Sequence, residues 1–210
     1  MVDCDCMAAM LRAAAAQIRA NQELLSKLDS HGGDGDHGTT MARAMTCIEK
    51  AVEENPNASL KAVLQAVGWA VMGVDGGATG PLFGTFFMSM AETADGKEVL
   101  DAQDLAAAFA AGLEGVQKRT RAQVGDKTML DALAPAVEAA QHAAGGGSVE
   151  DVVRTAFEAA CTGADSTASL QARFGRAKNI GEKSIGQPDA GATSVSLIFK
   201  GFLEGVTSHA

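Results

Sequence analysis

The sequence of 210 residues contains no tyrosine and a single tryptophan, and aromatic residues make up only 4% of it. A core of this composition must come mainly from Ala, Leu, Val and Met, and an alanine-rich sequence favours closely packed helices. With 47% hydrophobic and 20% charged residues, the chain has the composition of a folded globular protein. We expect one domain spanning residues 1–210.

Basic residues are in deficit, since 17 Lys and Arg stand against 26 Asp and Glu and the formal net charge is −9. This charge opposes attraction to nucleic acid or anionic lipid, so neither is expected as a partner. The sequence also lacks an apolar run approaching the ~20 residues that span a bilayer, and its start is not typical of a signal peptide. We therefore expect a cytoplasmic protein without membrane association.

The four cysteines form neither a CxxC pair nor the regular framework of a disulfide-rich protein. They are predicted to be reduced thiols. Cys4 and Cys6 could bind a soft metal, but one such pair is a weak pattern and we expect no metal there.

Apolar residues recur at helical spacing between clusters of Gly, Pro and Asp, which predicts an all-α chain of about eight helices. Asp101 with Asp104, and Ser148 with Asp151, have the spacing of a capping box at a helix start. The segment 194–199 alternates like a strand, but its alanine-rich surroundings favour a helix. We place the helices at 7–28, 38–54, 59–73, 80–93, 102–123, 128–144, 148–169 and 191–206.

The first glycine-rich loop carries three aspartates within eight positions, Asp29, Asp34 and Asp36. Converging carboxylates favour a hard divalent cation, and the absence of an EF-hand pattern favours Mg²⁺ shared with phosphates over Ca²⁺. For any one of these aspartates, the alternative is a carboxylate that only caps the following helix.

Two loops have the character of phosphate sites. One leads into a predicted helix start at 37–40, where free backbone N–H groups and the helix dipole attract anions. The other, 75–81, has glycines that permit close backbone approach to phosphate oxygens. Basic residues near 125–130 and 176–183 could neutralise a polyphosphate. Each pattern alone is weak, but together they predict a protein that binds a magnesium–polyphosphate ligand, with a nucleotide as the favoured identity.

Four segments, in this order, resemble the motifs of the DhaL family of nucleotide-binding subunits of dihydroxyacetone kinases. They are GDGDHGTTM at 33–41, GGATGPLFG at 76–84, GDKTMLDAL at 125–133, and GEKSIG with DAGA at 181–192. The resemblance implies an eight-helix antiparallel barrel that holds Mg²⁺ with ADP or ATP in the loops at one end.

The resemblance also assigns roles to single residues, and none of them is a catalytic nucleophile. The implied magnesium ligands are Asp29, Asp34 and Asp36. The implied phosphate-binding residues are His37, Gly38, Thr39, Thr40, Ala78 and Thr79. Met129 would pack on the adenine, and the pocket would be completed by Thr120, Arg176, Asp189, Ala190 and Gly191. The chain departs from the family's usual residues at Thr120, Asn179, Lys183 and Ala190.

The implied activity is phosphoryl transfer to a short ketose that a separate DhaK-type subunit holds on a histidine. The ketose is either dihydroxyacetone or another such as erythrulose. The phosphoryl donor is either a DhaM-type protein of the phosphotransferase system, which recharges a bound nucleotide, or free ATP. Two alternatives from other classes are a non-catalytic magnesium–nucleotide module that regulates another protein and, least favoured, a metal-dependent hydrolase.

Overall fold

The computed structural model describes residues 1–209, which form nine α-helices and two 3₁₀ segments. The described residues contain no strand beyond one isolated bridge between Val2 and Leu100, so the all-α prediction is confirmed. The helices are α1 (Cys4–Ala20), α2 (Gln22–Ser30), α3 (His37–Glu53), α4 (Leu60–Met72), α5 (Thr79–Thr93), α6 (Ala102–Arg119), α7 (Leu130–Ala143), α8 (Val149–Ser166) and α9 (Ala190–His209). The 3₁₀ segments are Thr167–Ser169 and Arg176–Ser184.

Helix boundaries follow the sequence signals at most positions. Both predicted capping boxes form, with the Asp104 N–H donating to Asp101 Oδ1 at 2.8 Å and the Asp151 N–H to Ser148 Oγ at 3.1 Å. The ambiguous segment 194–199 lies inside α9 and is helical.

The prediction of one helix over 7–28 is wrong, because the chain breaks at Asn21 into α1 and α2. The Asn21 side chain donates to the carbonyl of Gln17 at 2.8 Å, and its backbone leaves the helical region. Asparagine competes in this way with the helical backbone bonds. The predicted helix over 102–123 is also too long, since Thr120 is extended and ends α6.

Eight helices form a closed ring, in which each packs against the next in the order α1, α3, α4, α5, α6, α7, α8 and α9, and α9 packs back against α1. A Cβ on Gly201 would lie 2.2 Å from the Ala14 Cα, and one on Gly205 would lie 2.4 Å from the Met10 Cα. These glycines let the backbones of α1 and α9 touch. Residue numbers rise on one helix as they fall on the other, so this pair is antiparallel. The short α2 packs outside the ring order, against α3 and α9.

The buried interior includes phenylalanines from helices that are not neighbours in the ring. The Phe109 ring of α6 lies 5.2 Å from that of Phe199 and 6.1 Å from that of Phe202, both on α9, measured between centroids. All three side chains are buried. Truncating such a buried ring costs about 3–5 kcal/mol, so this cluster makes a large contribution to the stability of the closed ring.

The connections 31–36, 73–78, 120–129 and 167–189 meet at one end, where they line a common cavity. Consequently α3, α5, α7 and α9 all begin at that end. Among the described residues, no helix combines the length and the apolarity that crossing a membrane requires.

Candidate functional site

The cavity formed by these four connections has a volume of about 310 Å³. Its wall includes the first residues of four helices, at His37, Thr79, Leu130 and Ala190. Each helix start directs the positive end of its dipole toward the cavity. Some first-turn N–H groups of α3, α7 and α9 already donate within the protein, to Asp29, Thr128 and Asp189. Four such ends around one space form a strong environment for an anion.

Most of the predicted site residues line this cavity. They are Asp29, Asp36, His37, Ala78, Thr79, Thr120, Met129, Arg176, Asp189, Ala190 and Gly191. Four others do not: Asp34, Gly38, Thr39 and Thr40.

The three aspartates of the first loop are brought together, with one carboxylate oxygen from each lying within 4.8 Å of the others. Asp29 Oδ2 accepts from the N–H of Gly35 at 2.9 Å and of His37 at 3.4 Å, which holds the loop against the start of α3. Asp34 forms an ion pair with Arg176, which begins the 3₁₀ segment that packs against this loop. The donor set is all oxygen and partly exposed, which suits Mg²⁺ and disfavours softer metals.

Charge crowding is visible in the pKa values of this cluster. Desolvation and the neighbouring Asp34 raise the pKa of Asp36 above its usual range. Desolvation also acts against ionisation of Asp34, but its hydrogen bonds, first with Arg176, hold its pKa below the ordinary value. Carboxylates that repel one another so closely would be relieved by a divalent cation, so the residues present fit the metal implied by the sequence.

His37 connects three helices. Its Nε2 lies 2.8 Å from Ser194 Oγ on α9, and its Nδ1 lies 3.4 Å from Thr79 Oγ1 on α5. Burial lowers the pKa of His37, although Asp29 and Asp36 oppose the shift, so the ring is neutral at pH 7. The imidazole therefore ties the helix starts around the cavity to one another.

Thr40 is buried and supports the glycine-rich loop 73–78 from behind. A Cβ on Gly76 would lie 2.4 Å from Thr40 Cγ2, so only glycine allows this approach. Arg43 donates to Thr40 Oγ1 at 3.1 Å and to the carbonyl of Asp75 at 3.0 Å. Arg43 was not among the predicted site residues, and its position one turn after Thr40 on α3 was the available signal. Gly38 similarly packs against α2, where a Cβ would lie 2.1 Å from the Gln22 carbonyl.

The opposite wall combines the start of α7 with the start of α9. The side chain of Met129 is buried, and a Cβ on Gly191 would lie 3.4 Å from the Met129 Cβ. Asp189 Oδ2 accepts from the Ala192 N–H at 2.8 Å, and burial raises the pKa of Asp189 to about 6. Met129 and the start of α9 at Gly191 thus pack against each other and form an apolar part of the cavity wall.

Lys127 is the basic residue of the segment 125–130 that could neutralise a polyphosphate, and it lines the cavity. Its Nζ donates to the backbone carbonyls of Thr167 at 2.5 Å and Gln187 at 2.6 Å, so two of its donors are already used within the protein. The side chain is only 5% exposed. No pattern within the sequence reveals this, because both acceptors are backbone atoms in a distant connection.

Comparison with known proteins agrees with this arrangement. The family model for the DAK2 domain matches residues 31–204. The chain is 40% identical over 188 residues to the "PEP-dependent dihydroxyacetone kinase 1, ADP-binding subunit DhaL" of Listeria innocua, covering 90% of this chain and 89% of that protein. It is 39% identical over 189 residues to the "PTS-dependent dihydroxyacetone kinase, ADP-binding subunit DhaL" of Lactococcus lactis, covering 90% of each chain.

A solved structure shows the same fold. The dihydroxyacetone kinase of C. freundii in complex with AMP-PNP and Mg²⁺ has a TM-score of 0.72 and 26% identity, covering 94% of this chain and 33% of that one. The present chain thus spans about a third of the solved kinase. The chain belongs to the DAK2-domain family. Within that family it is similar over nine-tenths of its length to DhaL subunits, which confirms the resemblance drawn from the four motifs.

Proposed function

We propose that this chain is the nucleotide-binding subunit of a dihydroxyacetone-type kinase. It binds magnesium with ADP or ATP in the cavity and transfers a phosphoryl group to a short ketose held by a separate DhaK-type subunit. The observation that carries this proposal is the placement of three carboxylates beside four helix starts in one cavity. The similarity to ADP-binding DhaL subunits supports the same conclusion.

The proposed role of each residue follows from its chemistry. Asp29, Asp34 and Asp36 would hold the metal, which when bound neutralises phosphate charge. The N–H groups at the starts of α3 and α5 donate to phosphate oxygens. Met129 offers a polarizable apolar surface to the base.

The two histidines that line the cavity are held by contacts within the protein. His37 is neutral and engaged by Ser194 and Thr79, and His31 Nε2 lies 2.7 Å from the carbonyl of Lys183. Phosphoryl transfer depends mainly on positioning and on charge neutralisation, both of which this cavity supplies. In the proposed reaction the acceptor hydroxyl belongs to the ketose held by the partner subunit.

The phosphoryl donor that we propose is a DhaM-type protein of the phosphotransferase system, which recharges ADP kept in the cavity. Relatives of nearly the same length are named as ADP-binding subunits of PEP-dependent or PTS-dependent kinases, which supports this choice over free ATP. Such a system places the chain in the cytoplasm and makes ADP a coenzyme that does not leave between turnovers. The ketose that we propose is dihydroxyacetone.

Native mass spectrometry of the purified chain, before and after EDTA, tests this proposal. We expect a mass that includes ADP and magnesium, with both released by the chelator. If the purified chain is empty but binds added Mg-ATP, the nucleotide is a substrate that is consumed and not a coenzyme that is retained. A chain that neither retains ADP nor binds added Mg-ATP would refute the nucleotide site.

A second experiment separates a kinase subunit from a regulatory module. The chain is mixed with a DhaK-type subunit, dihydroxyacetone and a phosphoryl donor, and the ketose phosphate is measured. Asp36→Asn is expected to abolish most of the product because it removes one magnesium ligand. Asp95→Asn, at the exposed end of the connection between α5 and α6, is the matched control and should leave the rate unchanged. Absence of product with the unmodified chain would favour the regulatory module.

A further inference from the structure

Lys127 joins two connections that are far apart in the sequence. It lies in the connection between α6 and α7, whereas its two acceptors, the carbonyls of Thr167 and Gln187, lie in the connection between α8 and α9. The side chain is only 5% exposed, so these bonds form away from solvent. Charge-assisted hydrogen bonds in such surroundings are strong and hold their partners at a defined distance.

The bonds continue from Lys127 to the start of α9. Thr167, whose carbonyl Lys127 holds, also accepts from the Asp189 N–H through its Oγ1 at 2.8 Å. Asp189 in turn accepts from the Ala192 N–H at 2.8 Å and thereby caps the helix. This chain of bonds determines where Gly191 lies relative to Met129, which follows Lys127 by two residues.

The local backbone is fixed in an unfavourable conformation. Lys127 has φ of +62° and is the only residue other than glycine with a positive φ among residues 1–209. That conformation is unfavourable for a residue with a Cβ. Asp131 holds it by accepting from the Gly125 N–H at 2.5 Å and the Thr128 N–H at 2.7 Å. A strained backbone and a buried ammonium in one residue are typical of a position whose geometry matters to function.

We propose that Lys127 is a positioning residue that holds Met129 against the start of α9, and that these two segments form the wall of the cavity on which the base of the nucleotide packs. This inference rests on the proposed function. The ammonium acts through the two connections that it joins, and the phosphates are held elsewhere, at the carboxylate cluster and at the starts of α3 and α5.

Calorimetric titration of the full chain, stripped with EDTA and resupplied with Mg²⁺, tests this with two ligands. Mg-ADP has a base that would pack on this wall, whereas Mg-pyrophosphate has comparable phosphates and no base. Lys127→Met should weaken Mg-ADP binding by about tenfold or more and change Mg-pyrophosphate binding by less than about twofold. Lys127→Arg keeps the donors and should recover most of the loss. Lys118→Met is the control, since Lys118 is 72% exposed on α6.

Two results would overturn the inference: unchanged Mg-ADP affinity in Lys127→Met, or equal weakening of both ligands. If circular dichroism shows that Lys127→Met does not fold, Thr167→Val takes its place, because it removes the acceptor of the Asp189 N–H further along the same chain of bonds. The same selective loss of Mg-ADP is expected there, and an equal loss of both ligands again counts against the inference. An unmodified chain that binds neither ligand refutes the proposed function itself, whereas one that binds both and tolerates these variants refutes only the role of Lys127.

Discussion

Asp189 is an acid whose ionisation the folded state opposes. Burial raises its pKa from an ordinary 3.8 to about 6, although the N–H groups of Ala192 and Gly191 and the charge of Lys127 favour the carboxylate. Because the folded pKa is above the unfolded one, the native state keeps a proton that the unfolded chain releases. Stability is therefore lost as the pH rises through the interval between the two values, and the loss is complete above the folded pKa.

The magnitude follows from the difference between the two pKa values. A difference of about 2 pKa units corresponds to about 3 kcal/mol, of which about 2 kcal/mol develops between about pH 4 and pH 7. Asp189→Asn removes the ionisation and keeps an oxygen that accepts from the Ala192 N–H. The free energy of unfolding of the variant, relative to the original chain, should therefore rise by about 2 kcal/mol over this pH range.

Urea unfolding, followed by circular dichroism at several pH values, measures this difference. Asp165→Asn, at an exposed position on α8, serves as the control and should run parallel to the original chain. If the curve for Asp189→Asn also runs parallel, then Asp189 titrates as an ordinary exposed acid and the reasoning from burial is wrong.

Other predictions concern the ring, the glycine-rich loop and the metal. Gly201→Ala should lower the free energy of unfolding by more than about 2 kcal/mol, because the new Cβ would lie 2.2 Å from the Ala14 Cα. Gly146→Ala, with nothing within 4 Å, should change urea unfolding little, and equal effects would contradict the close approach of α1 and α9. Arg43→Met removes the hydrogen bond to the Asp75 carbonyl. Calorimetry should show Mg-ADP affinity weakened by about tenfold, with an unchanged melting temperature of the chain. Unaltered affinity would show that the loop 73–78 keeps its conformation without Arg43. EDTA should lower the melting temperature of the ADP-loaded chain to that of the ligand-free chain, and an unchanged temperature would exclude a metal-dependent complex.

Local signals in the sequence were sufficient for most of the helices. The capping boxes at Asp101 and Ser148 form as predicted, because each involves groups only three residues apart. The glycine and aspartate clusters fall in connections for the same reason, since their backbone preferences are local. The break at Asn21 was missed because a single side chain there competes with an otherwise regular apolar pattern.

The sequence by itself determined the all-α class, the connections that carry the chemistry and the three carboxylates of the first loop. Only the tertiary structure decided that four helix starts share one cavity, that Thr40 supports the loop from behind, and that Lys127 reaches carbonyls 40 and 60 residues away. Periodicity and capping act within a few residues, whereas the closing of the ring and the direction of each side chain depend on packing between helices that are distant along the chain.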